Sequence, residues 1–476
     1  MLFNSFQFIY FFILVTAVYF ILPHRQRWWW LLLSSCYFYM AFVPIYILIL
    51  GFTIVVDYFA GIIIEQSAGR RRKLFLICSL IANIGVLAVF KYYNFINENI
   101  SVLLHGFTVK NQLPFLSILL PIGLSFHTFQ AMSYTIEVYR GNQKAERHFG
   151  IYALYVMFYP QLVAGPIERP QNLLHQFREN YRFEYDRVVS GLKLMLWGFF
   201  KKLVIADRLA IYVNTVYNNS DHHNGVSLLV ATVFFAFQIY CDFSAYSDIA
   251  IGAARVMGFK LMTNFDRPYF SKSISEFWKR WHISLSTWFK DYLYISLGGN
   301  KVSIPRWYFN LFIVFVVSGL WHGANWTYLI WGAINGFYLV FAIVTKTFRE
   351  QFTKLIRLNQ FTVLNNVVQI LTTFSLTCFA WIFFRSKSLH EAVSIIKKIS
   401  TFSGPFYNPN KSVTVYAILG IVFLLLVEFK REYFNQVFTF TYHENWLVRN
   451  CYYTFLIAVI ILIGVFDGGE FIYFQF

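Results

Sequence analysis

Long uncharged runs alternate with short clusters of charged residues along most of this chain. A helix needs about 20 apolar residues to cross the hydrocarbon core of a membrane. Uncharged runs near that length lie at residues 6–22, 74–90, 114–136, 149–167 and 361–384. Shorter uncharged runs lie at residues 226–241, 413–427 and 451–466. The pattern predicts a membrane helix for each of these runs.

Two longer stretches have the length of helix pairs. Residues 28–64 contain Asp57 as their one charged residue and Pro44 near their middle, which predicts a hairpin of two helices. Residues 307–345 contain no Asp, Glu, Lys or Arg, and their length predicts two helices joined by a small-residue break at 318–325. The predicted total is about eleven membrane helices.

The charged clusters orient the first helices and interrupt the pattern in the middle. The basic clusters at 24–27, 70–73 and 140–148 fall on one side if the helices alternate, which predicts that this side is cytoplasmic. The run at 6–22 precedes its basic residues, so it is predicted to be a membrane helix and not a cleaved signal. Charged and apolar residues are interleaved over 243–303, which predicts a segment that lies at the membrane interface or dips into the protein.

Composition supports the membrane assignment. Hydrophobic residues make up 58% of the chain and charged residues 13%, against about 45–50% and about 25% in soluble domains. These values exclude a soluble secreted enzyme, a disordered scaffold or a nucleic-acid-binding domain as the whole molecule. The net charge of +17 comes from clusters between apolar segments, which favours membrane lipid over nucleic acid as the partner. The five cysteines show no CxxC spacing, so neither a disulfide nor a structural zinc ion is expected.

The first dense group of functional residues lies at 275–295, where a helical reading places five apolar side chains on one stripe. These are Trp278, Trp281, Leu285, Trp288 and Tyr292. Ser275 is predicted to cap this helix, and the glycines at 298 and 299 are predicted to end it. An interfacial amphipathic helix with an aromatic belt explains the tryptophans, but it gives no reason for His282 beside Trp281. His282 is therefore a candidate functional residue.

The second group surrounds His322 in the middle of the uncharged stretch. A histidine at membrane depth is costly unless it faces a cavity or a partner, which makes His322 a functional candidate. Gly319 and Gly323 would allow a close approach of backbone, and Trp321 and Trp326 would form apolar walls.

Two further segments contain polar residues or helix breakers. Asp242 and Asp248 follow an apolar run and are expected to pair with a basic residue, as a structural ion pair or in a catalytic role. The basic candidates are Arg255, Arg267 and Arg280. Residues 159–169 contain two prolines and a glycine, which predicts a helix break of the re-entrant type. The chain contains no HExxH, GxSxG, GxxxxGK[ST] or GxGxxG motif.

Six runs of residues resemble one family. They are LPIGLSFHTFQAMSYTIEVYRG (120–141), YPQLVAGPIERP (159–170), GFFKKLVIADRLA (198–210), CDFSAYSDIAIG (241–252), NFDRPYFSKSISEFWKRWHISLSTWFKDYLYISLGGNK (264–301) and SGLWHGANWTYLIWG (318–332). They are similar to the membrane-bound O-acyltransferase (MBOAT) family, and more narrowly to its bacterial alginate O-acetyltransferase branch. The resemblance implies an all-α polytopic membrane protein whose helices form a ring around a central tunnel. The sequence shows no internal repeat and no low-complexity linker, so a single integral domain over 1–476 is expected, with a catalytic core at about 114–345.

The resemblance also assigns roles to the two histidines. His322 matches the near-invariant histidine of the family, and His282 matches the second, variable one. A neutral histidine can take a hydroxyl proton as general base, which contributes about 10²–10⁴-fold to the rate. His282 is then an auxiliary acid or a positioning group, and His282, Asn325 or a backbone N–H would stabilise the oxyanion of the attacked thioester.

The implied donor is an acyl thioester on the cytoplasmic side. Acetyl-coenzyme A is favoured, an acyl-carrier-protein thioester is the alternative, and no tightly bound cofactor or metal is expected. Arg280, Lys279 and Arg267 are candidates for binding the phosphates of coenzyme A. Trp281, Trp321 and Asn325 complete the set of candidate binding residues.

The function implied is O-acetylation of an extracytoplasmic polysaccharide such as alginate, by a multi-pass protein of the bacterial inner membrane. A periplasmic acetyltransferase or esterase of the SGNH type is the expected protein partner. Acylation of peptidoglycan or teichoic acid is an alternative within the same class. A transporter or lipid flippase is the alternative in a different class, since it would also need a polar cavity at membrane depth.

Overall fold

A computed structural model describes residues 1–117, 121, 123–163, 165–408, 410–434, 445–466 and 471. All regular secondary structure in these residues is helical, which confirms the all-α prediction. The first eleven helices are α1 Phe6–Ile21, α2 His24–Met40, α3 Ile47–Gln66, α4 Gly69–Leu87, α5 Tyr93–Gly106, α6 Leu124–Arg140, α7 Phe149–Met157, α8 Tyr159–Leu162, α9 Pro170–Leu173, α10 Tyr185–Phe199 and α11 Asp207–Tyr217. The next ten are α12 Gly225–Met257, α13 Ile274–Arg280, α14 Ile283–Phe289, α15 Ile304–His322, α16 Trp326–Val344, α17 Lys346–Leu355, α18 Thr362–Arg385, α19 Leu389–Thr401, α20 Lys411–Tyr433 and α21 Trp446–Ile463.

Short 3₁₀ and π-helical turns connect several of these helices. The 3₁₀ turns are Pro44–Tyr46, His175–Arg178, Ser220–His222, Pro268–Phe270 and Leu358–Gln360. The π-helical turns are Ala88–Tyr92, Phe200–Ala206 and Lys290–Tyr294. Turns of the π type inside α-helices occur frequently at functional sites, and the last of the three directly follows α14.

The chain forms two compact units. The first comprises Met1–Met195 and Tyr246–Met262, and the second comprises Leu196–Ala245 and Thr263–Phe476. Both candidate histidines belong to the second unit. The ring of helices, the central tunnel and the single integral domain stay predictions.

Eight helices of the described residues are long and apolar enough to cross a membrane, which supports a multi-pass membrane protein. They are Pro44–Gln66, Gly69–Gly106, Gly225–Met257, Ile304–His322, Trp326–Val344, Thr362–Arg385, Lys411–Tyr433 and Trp446–Ile463. The helix pairs predicted over 28–64 and 307–345 are both present, as are helices over the three shorter runs. The predicted total of about eleven spans is not confirmed.

The predicted runs at 6–22 and 114–136 differ from simple long spans. The run at 6–22 forms α1, which has only 16 residues. The run at 114–136 includes residues 118–120 and 122, which lie outside the described part of the chain, and α6 begins only at Leu124.

The prediction of one span over 149–167 is wrong. The helix ends at Met157, since Phe158 has non-helical dihedral angles, and the four-residue α8 follows with Pro160 in its first turn. Proline lacks a backbone N–H and clashes with the preceding turn, so a continuous helix cannot pass this point. The helix break predicted for 159–169 is confirmed.

The prediction for 243–303 is wrong for the first part of the segment and stays a prediction for the rest. The span Gly225–Met257 continues through residues 243–257, so these residues do not form an interfacial segment. In its most apolar window 78% of the residues are buried inside the protein, which accommodates the polar side chains of this helix. Beyond Thr263 the chain forms only short helices as far as Lys301.

Candidate active site

The segment that contains His282 is two short helices and not one. The continuous helix predicted from Ser275 is wrong, because the chain leaves helical geometry at Trp281 (φ −103°, ψ 126°) and at His282 (φ 44°, ψ 54°). The left-handed conformation of His282 is unusual for a residue with a side chain and occurs often at functional sites. Ser273, and not Ser275, caps α13, since its hydroxyl accepts a hydrogen bond from the Glu276 N–H at 3.2 Å.

A neighbouring backbone segment at 264–266 holds this junction in place. The Asp266 N–H donates to the Arg280 carbonyl at 2.9 Å, and the Ile283 N–H donates to the Asn264 carbonyl at 2.9 Å. These two bonds bracket Trp281 and His282 on both sides. The break between α13 and α14 is therefore a defined structure and not a frayed helix end.

The imidazole of His282 is enclosed, with 1% of the residue exposed. Its Nδ1 atom lies 3.1 Å from the Asn264 side-chain oxygen, and the Phe243 ring stands edge-on with its centroid at 4.6 Å. His282 lies outside the candidate membrane spans, and burial lowers its pKa to about 3. The imidazole is therefore neutral at physiological pH.

The aromatic stripe around His282 faces the interior of the second unit. Trp281 is 1% exposed, stacks on Phe277 with centroids 5.4 Å apart, and contacts Trp381 at 5.2 Å. Trp288 is also buried. The burial of these two rings does not fit the alternative of an exposed aromatic belt on an interfacial helix.

His322 is the last residue of α15 and is 6% exposed. The Trp331 ring stands perpendicular to the imidazole at 5.1 Å between centroids, and the Phe384 ring lies at 5.5 Å. Trp321 contacts the imidazole at 4.9 Å, as predicted. Trp326 is 52% exposed, so its predicted role as a wall is wrong. Trp331 and Phe384 take that role.

Glycines bring α15 and α16 together at His322. A Cβ atom at Gly319 would lie 2.2 Å from the Tyr328 carbonyl oxygen, and one at Gly332 would lie 2.3 Å from the Phe315 carbonyl oxygen. A Cβ atom at Gly323 would meet the Tyr328 ring at 2.1 Å. The predicted close approach of backbone is confirmed at Gly319, whereas the close neighbour of Gly323 is a side chain.

Three aromatic residues that the sequence did not single out connect the two histidine regions. Trp331 stacks on Trp381 with centroids 5.7 Å apart, and Trp381 contacts Trp281, the residue before His282. Phe384 contacts both Trp331 and His322. Trp381 and Phe384 end an ordinary apolar run at 361–384, and no local pattern distinguishes them from core residues. Trp331 lies in the same family-like run as His322, at 318–332. Its place in that run is the sequence feature that could have identified it.

The two candidate arginines are engaged by carboxylates. Arg280 makes a bidentate ion pair with Glu432, with N···O distances of 2.8 and 2.9 Å. It also makes a single ion-pair contact with Glu276 at 2.7 Å. Arg267 pairs with Glu432 at 2.9 Å and with Asp266 at 3.0 Å. Three carboxylates surround two guanidinium groups, so this cluster has no surplus positive charge for phosphates. The binding of coenzyme A phosphates by these arginines stays a prediction, and Lys279 is the exposed member of the set.

Asn325 is a helix cap. Its side-chain oxygen accepts from the Thr327 N–H at 3.0 Å, and its amide group donates to the Lys387 carbonyl at 3.1 Å. These bonds start α16 just after the glycine-lined approach at His322. Its predicted role in oxyanion stabilisation has no direct geometric support here, because its side-chain oxygen and its amide both bind backbone groups.

Asp242 pairs with Lys202, which is not among the basic residues predicted for it. The Lys202 ammonium lies 2.7 Å from Asp242 and 2.8 Å from Asp207, and all three side chains are buried. Arg255 instead donates to the Ser190 hydroxyl. Lys202 lies in the apolar run at 188–206. The sequence contains no pattern that identifies it as the partner of Asp242.

The arrangement offers two buried imidazoles that are surrounded by aromatic side chains. Such surroundings keep an imidazole neutral, which is the form that can accept a proton from a hydroxyl. Within the described residues, no group of three His, Cys, Asp or Glu side chains is placed to hold a metal ion.

Comparison with known proteins places these residues in a family context. The sequence profile of the membrane-bound O-acyltransferase family matches residues 147–386, which include both histidines. A Pseudomonas aeruginosa protein named probable alginate O-acetylase is 37% identical, over 82% of this chain and 74% of that protein. The peptidoglycan O-acetyltransferase of Helicobacter pylori is 34% identical, over 78% of this chain and 73% of its own. The teichoic acid D-alanyltransferase of Bacillus subtilis is 26% identical, over 57% and 70%.

Proposed function

The chain belongs to the membrane-bound O-acyltransferase family, and we propose that this acyltransferase moves an acetyl group from a cytoplasmic thioester across the membrane for the O-acetylation of an extracytoplasmic polysaccharide. The observation that carries the proposal is His322, a buried histidine at the end of a candidate membrane span, walled by Trp331 and Phe384. The similarity to an alginate O-acetylase supports a polysaccharide acceptor.

The proposed chemistry is a single acyl transfer. The acceptor hydroxyl gives its proton to His322, and its oxygen attacks the carbonyl carbon of the thioester. A C–O bond forms, the C–S bond breaks, and the thiol leaves with the proton that His322 received. General-base catalysis of this kind contributes about 10²–10⁴-fold.

His282 assists this step as a positioning group. Its lowered pKa of about 3 keeps the imidazole neutral, so it has no second proton to give at physiological pH. This disfavours the role of auxiliary acid and favours a role as a hydrogen-bond acceptor.

Acetyl-coenzyme A is the proposed donor, and an acyl-carrier-protein thioester would serve the same histidine. The proposed location is the inner membrane of a bacterium, where the helices cross between the two compartments. An SGNH-type acetyltransferase or esterase in the periplasm would pass the acetyl group on to the polymer. Lys279, as the exposed member of the basic set, is the proposed first contact for the phosphates of the donor.

The test uses purified protein in lipid nanodiscs with acetyl-coenzyme A and oligosaccharide acceptors. Release of free thiol and formation of acetyl esters are measured by a thiol assay and by mass spectrometry. We expect His322→Ala to lower the rate by about 10²–10⁴-fold. His390→Ala, at an exposed histidine on α19, is the control and should leave the rate unchanged. A folded His322→Ala protein with the wild-type rate would overturn the proposal.

A second candidate acceptor is peptidoglycan, which is favoured by the 34% identity to a peptidoglycan O-acetyltransferase. Mass spectrometry of the surface polysaccharide and of the peptidoglycan from cells with and without the gene separates the two acceptors. Teichoic acid is the third, and D-alanyl esters would identify it. A transporter would cleave no thioester, so thiol release that depends on His322 excludes that class.

A further inference from the structure

Asn264 makes an unusual concentration of contacts at the His282 junction. It is completely buried, and its side-chain oxygen lies 3.2 Å from the Ser284 backbone nitrogen, 2.9 Å from the Ser284 hydroxyl and 3.1 Å from His282 Nδ1. Its own carbonyl oxygen accepts from the Ile283 N–H. A single residue, 18 positions earlier in the chain, thus binds three consecutive residues of the catalytic segment.

The backbone N–H of Ser284 determines the orientation of the Asn264 amide. A backbone N–H is always a donor, so the atom that it faces must be the amide oxygen and not the amide nitrogen. That oxygen has no hydrogen to give, so the His282 nitrogen beside it must carry one. The neutral imidazole of His282 therefore has its hydrogen on Nδ1, and its Nε2 is the nitrogen that carries the lone pair.

We propose that Asn264 is the positioning residue that holds His282 in the Nδ1–H tautomer, so that Nε2 is the nitrogen that meets the reacting groups. The proposal rests on the proposed acyltransferase function. In this arrangement Nε2 can only accept a hydrogen bond, for example from the acceptor hydroxyl. Asn264 itself touches neither the donor nor the acceptor.

The surroundings support a fixed ring. The two backbone bonds that bracket the junction restrict the position of His282, and the edge-on Phe243 ring restricts its rotation. The charged residues that flank Asn264 and His282 in the sequence pair with other side chains. Arg280 and Arg267 pair with Glu432, and Asp266 pairs with Arg267. Burial alone lowers the pKa of His282, which agrees with a neutral ring.

The first experiment compares Asn264→Ala with Asn264→Asp in the acyl-transfer assay. Asn264→Ala removes the acceptor, so both tautomers become available, and we expect kcat to fall by about 10-fold to 10²-fold with little change in KM. Asn264→Asp keeps an acceptor and adds a negative charge, so we expect kcat to be largely retained and the acid limb of the pH profile to move to higher pH.

The matched control is Asn310→Ala, at another completely buried asparagine of the second unit. The Asn310 amide donates to the carbonyls of Leu297 and Gly299, so its loss should lower the thermal stability. Its pH profile should match that of the wild type. If Asn264→Ala behaves in the same way, with lower stability but unchanged kcat and pH profile, Asn264 has only a structural role and the proposal is overturned.

A second measurement needs no activity. Solid-state NMR of ¹⁵N-histidine-labelled protein in lipid, with His282→Gln as the reference for subtraction, reports which ring nitrogen of His282 carries hydrogen. We expect a protonated Nδ1 in the wild type and a mixture in Asn264→Ala. A protonated Nε2 in the wild type would overturn the proposal even if the variant fails to fold. A protein with this tautomer but without acyl transfer would contradict the proposed function alone.

Discussion

The regions around His282 and His322 achieve burial of a histidine by different means. His322 ends a long helix and is enclosed by Trp331 and Phe384, and the glycines of α15 and α16 let the two helices approach closely. His282 lies in a left-handed junction between two short helices and is held by Asn264. One region is defined by packing and the other by hydrogen bonds and ion pairs.

This difference shows which property each method of burial can control. Rings and glycines determine where an imidazole lies and keep water away, but they do not select the nitrogen that carries its hydrogen. A hydrogen bond to a fixed acceptor selects that nitrogen. A site with both histidines can therefore combine a base that is enclosed by aromatic rings with an imidazole whose protonated nitrogen is fixed.

The largest expected effect on stability is in the packed region. Trp331→Ala removes the ring that contacts His322, Trp381 and Phe384, and we expect the free energy of unfolding to fall by about 3–5 kcal/mol. Trp326→Ala, on the same helix but 52% exposed, should cost under about 1 kcal/mol. Unfolding in detergent micelles measures both, and equal losses would show that packing does not define this region.

A smaller effect is expected from crowding the contact between α15 and α16. Gly319→Ala places a Cβ atom 2.2 Å from a backbone oxygen that cannot move freely, so we expect a loss of about 1–3 kcal/mol. Gly85→Ala, at a helix position with nothing within 4 Å, is the control and should stabilise by about 1 kcal/mol. The same unfolding measurement applies, and a stabilised Gly319→Ala protein would contradict the close contact.

The polar region should respond to Glu432→Gln. This carboxylate pairs with both Arg280 and Arg267, and its own side chain is 14% exposed. Its neutralisation removes a negative charge that both guanidinium groups share. We therefore expect the free energy of unfolding to fall by about 2 kcal/mol. Glu350→Gln breaks only the exposed pair with Lys346 and should cost under about 0.5 kcal/mol. If high salt removes the difference between the two variants, the cluster acts as a surface ion pair.

The smallest effect is the pH dependence that His282 contributes. Its pKa is about 3 in the folded protein against 6.5 as its ordinary value, so between these values the unfolded chain binds more protons. Stability therefore falls as the pH falls below 6.5, by about 1 kcal/mol between pH 7.5 and 5.5. His282→Gln should remove that part of the dependence. Identical pH curves for the two proteins would show that His282 titrates normally.

Much of the fold follows from the sequence because a membrane span is a local property. An uncharged run of sufficient length predicts a helix whatever surrounds it, as the pairs over 28–64 and 307–345 show. The rule fails where a local breaker acts inside a run, as at Pro160 in the run at 149–167. It also fails where protein encloses polar side chains within a span, as in α12.

The site was predictable to a lesser extent. His322, Gly319 and Gly323 are identifiable because a polar residue and small residues in a long apolar stretch need a reason. The single helix predicted around His282 is wrong. The helical spacing of apolar residues continues through Trp281 and His282, although the backbone at these residues is not helical. The restraints on this region come from Asn264, which lies in the run at 264–301 without a predicted role, and from Glu432, which is distant in the chain.

The sequence by itself determined that this is a polytopic membrane protein and which two histidines to consider, since the hydropathy of a run and the cost of a polar group within it depend on the local sequence. The tertiary structure decided the left-handed turn at His282, the walls around His322 and the partners of Arg280, Arg267 and Asp242. These features depend on which distant residues meet. A short-range pattern specifies how much surface a segment must bury, whereas the partners are selected only when the helices pack.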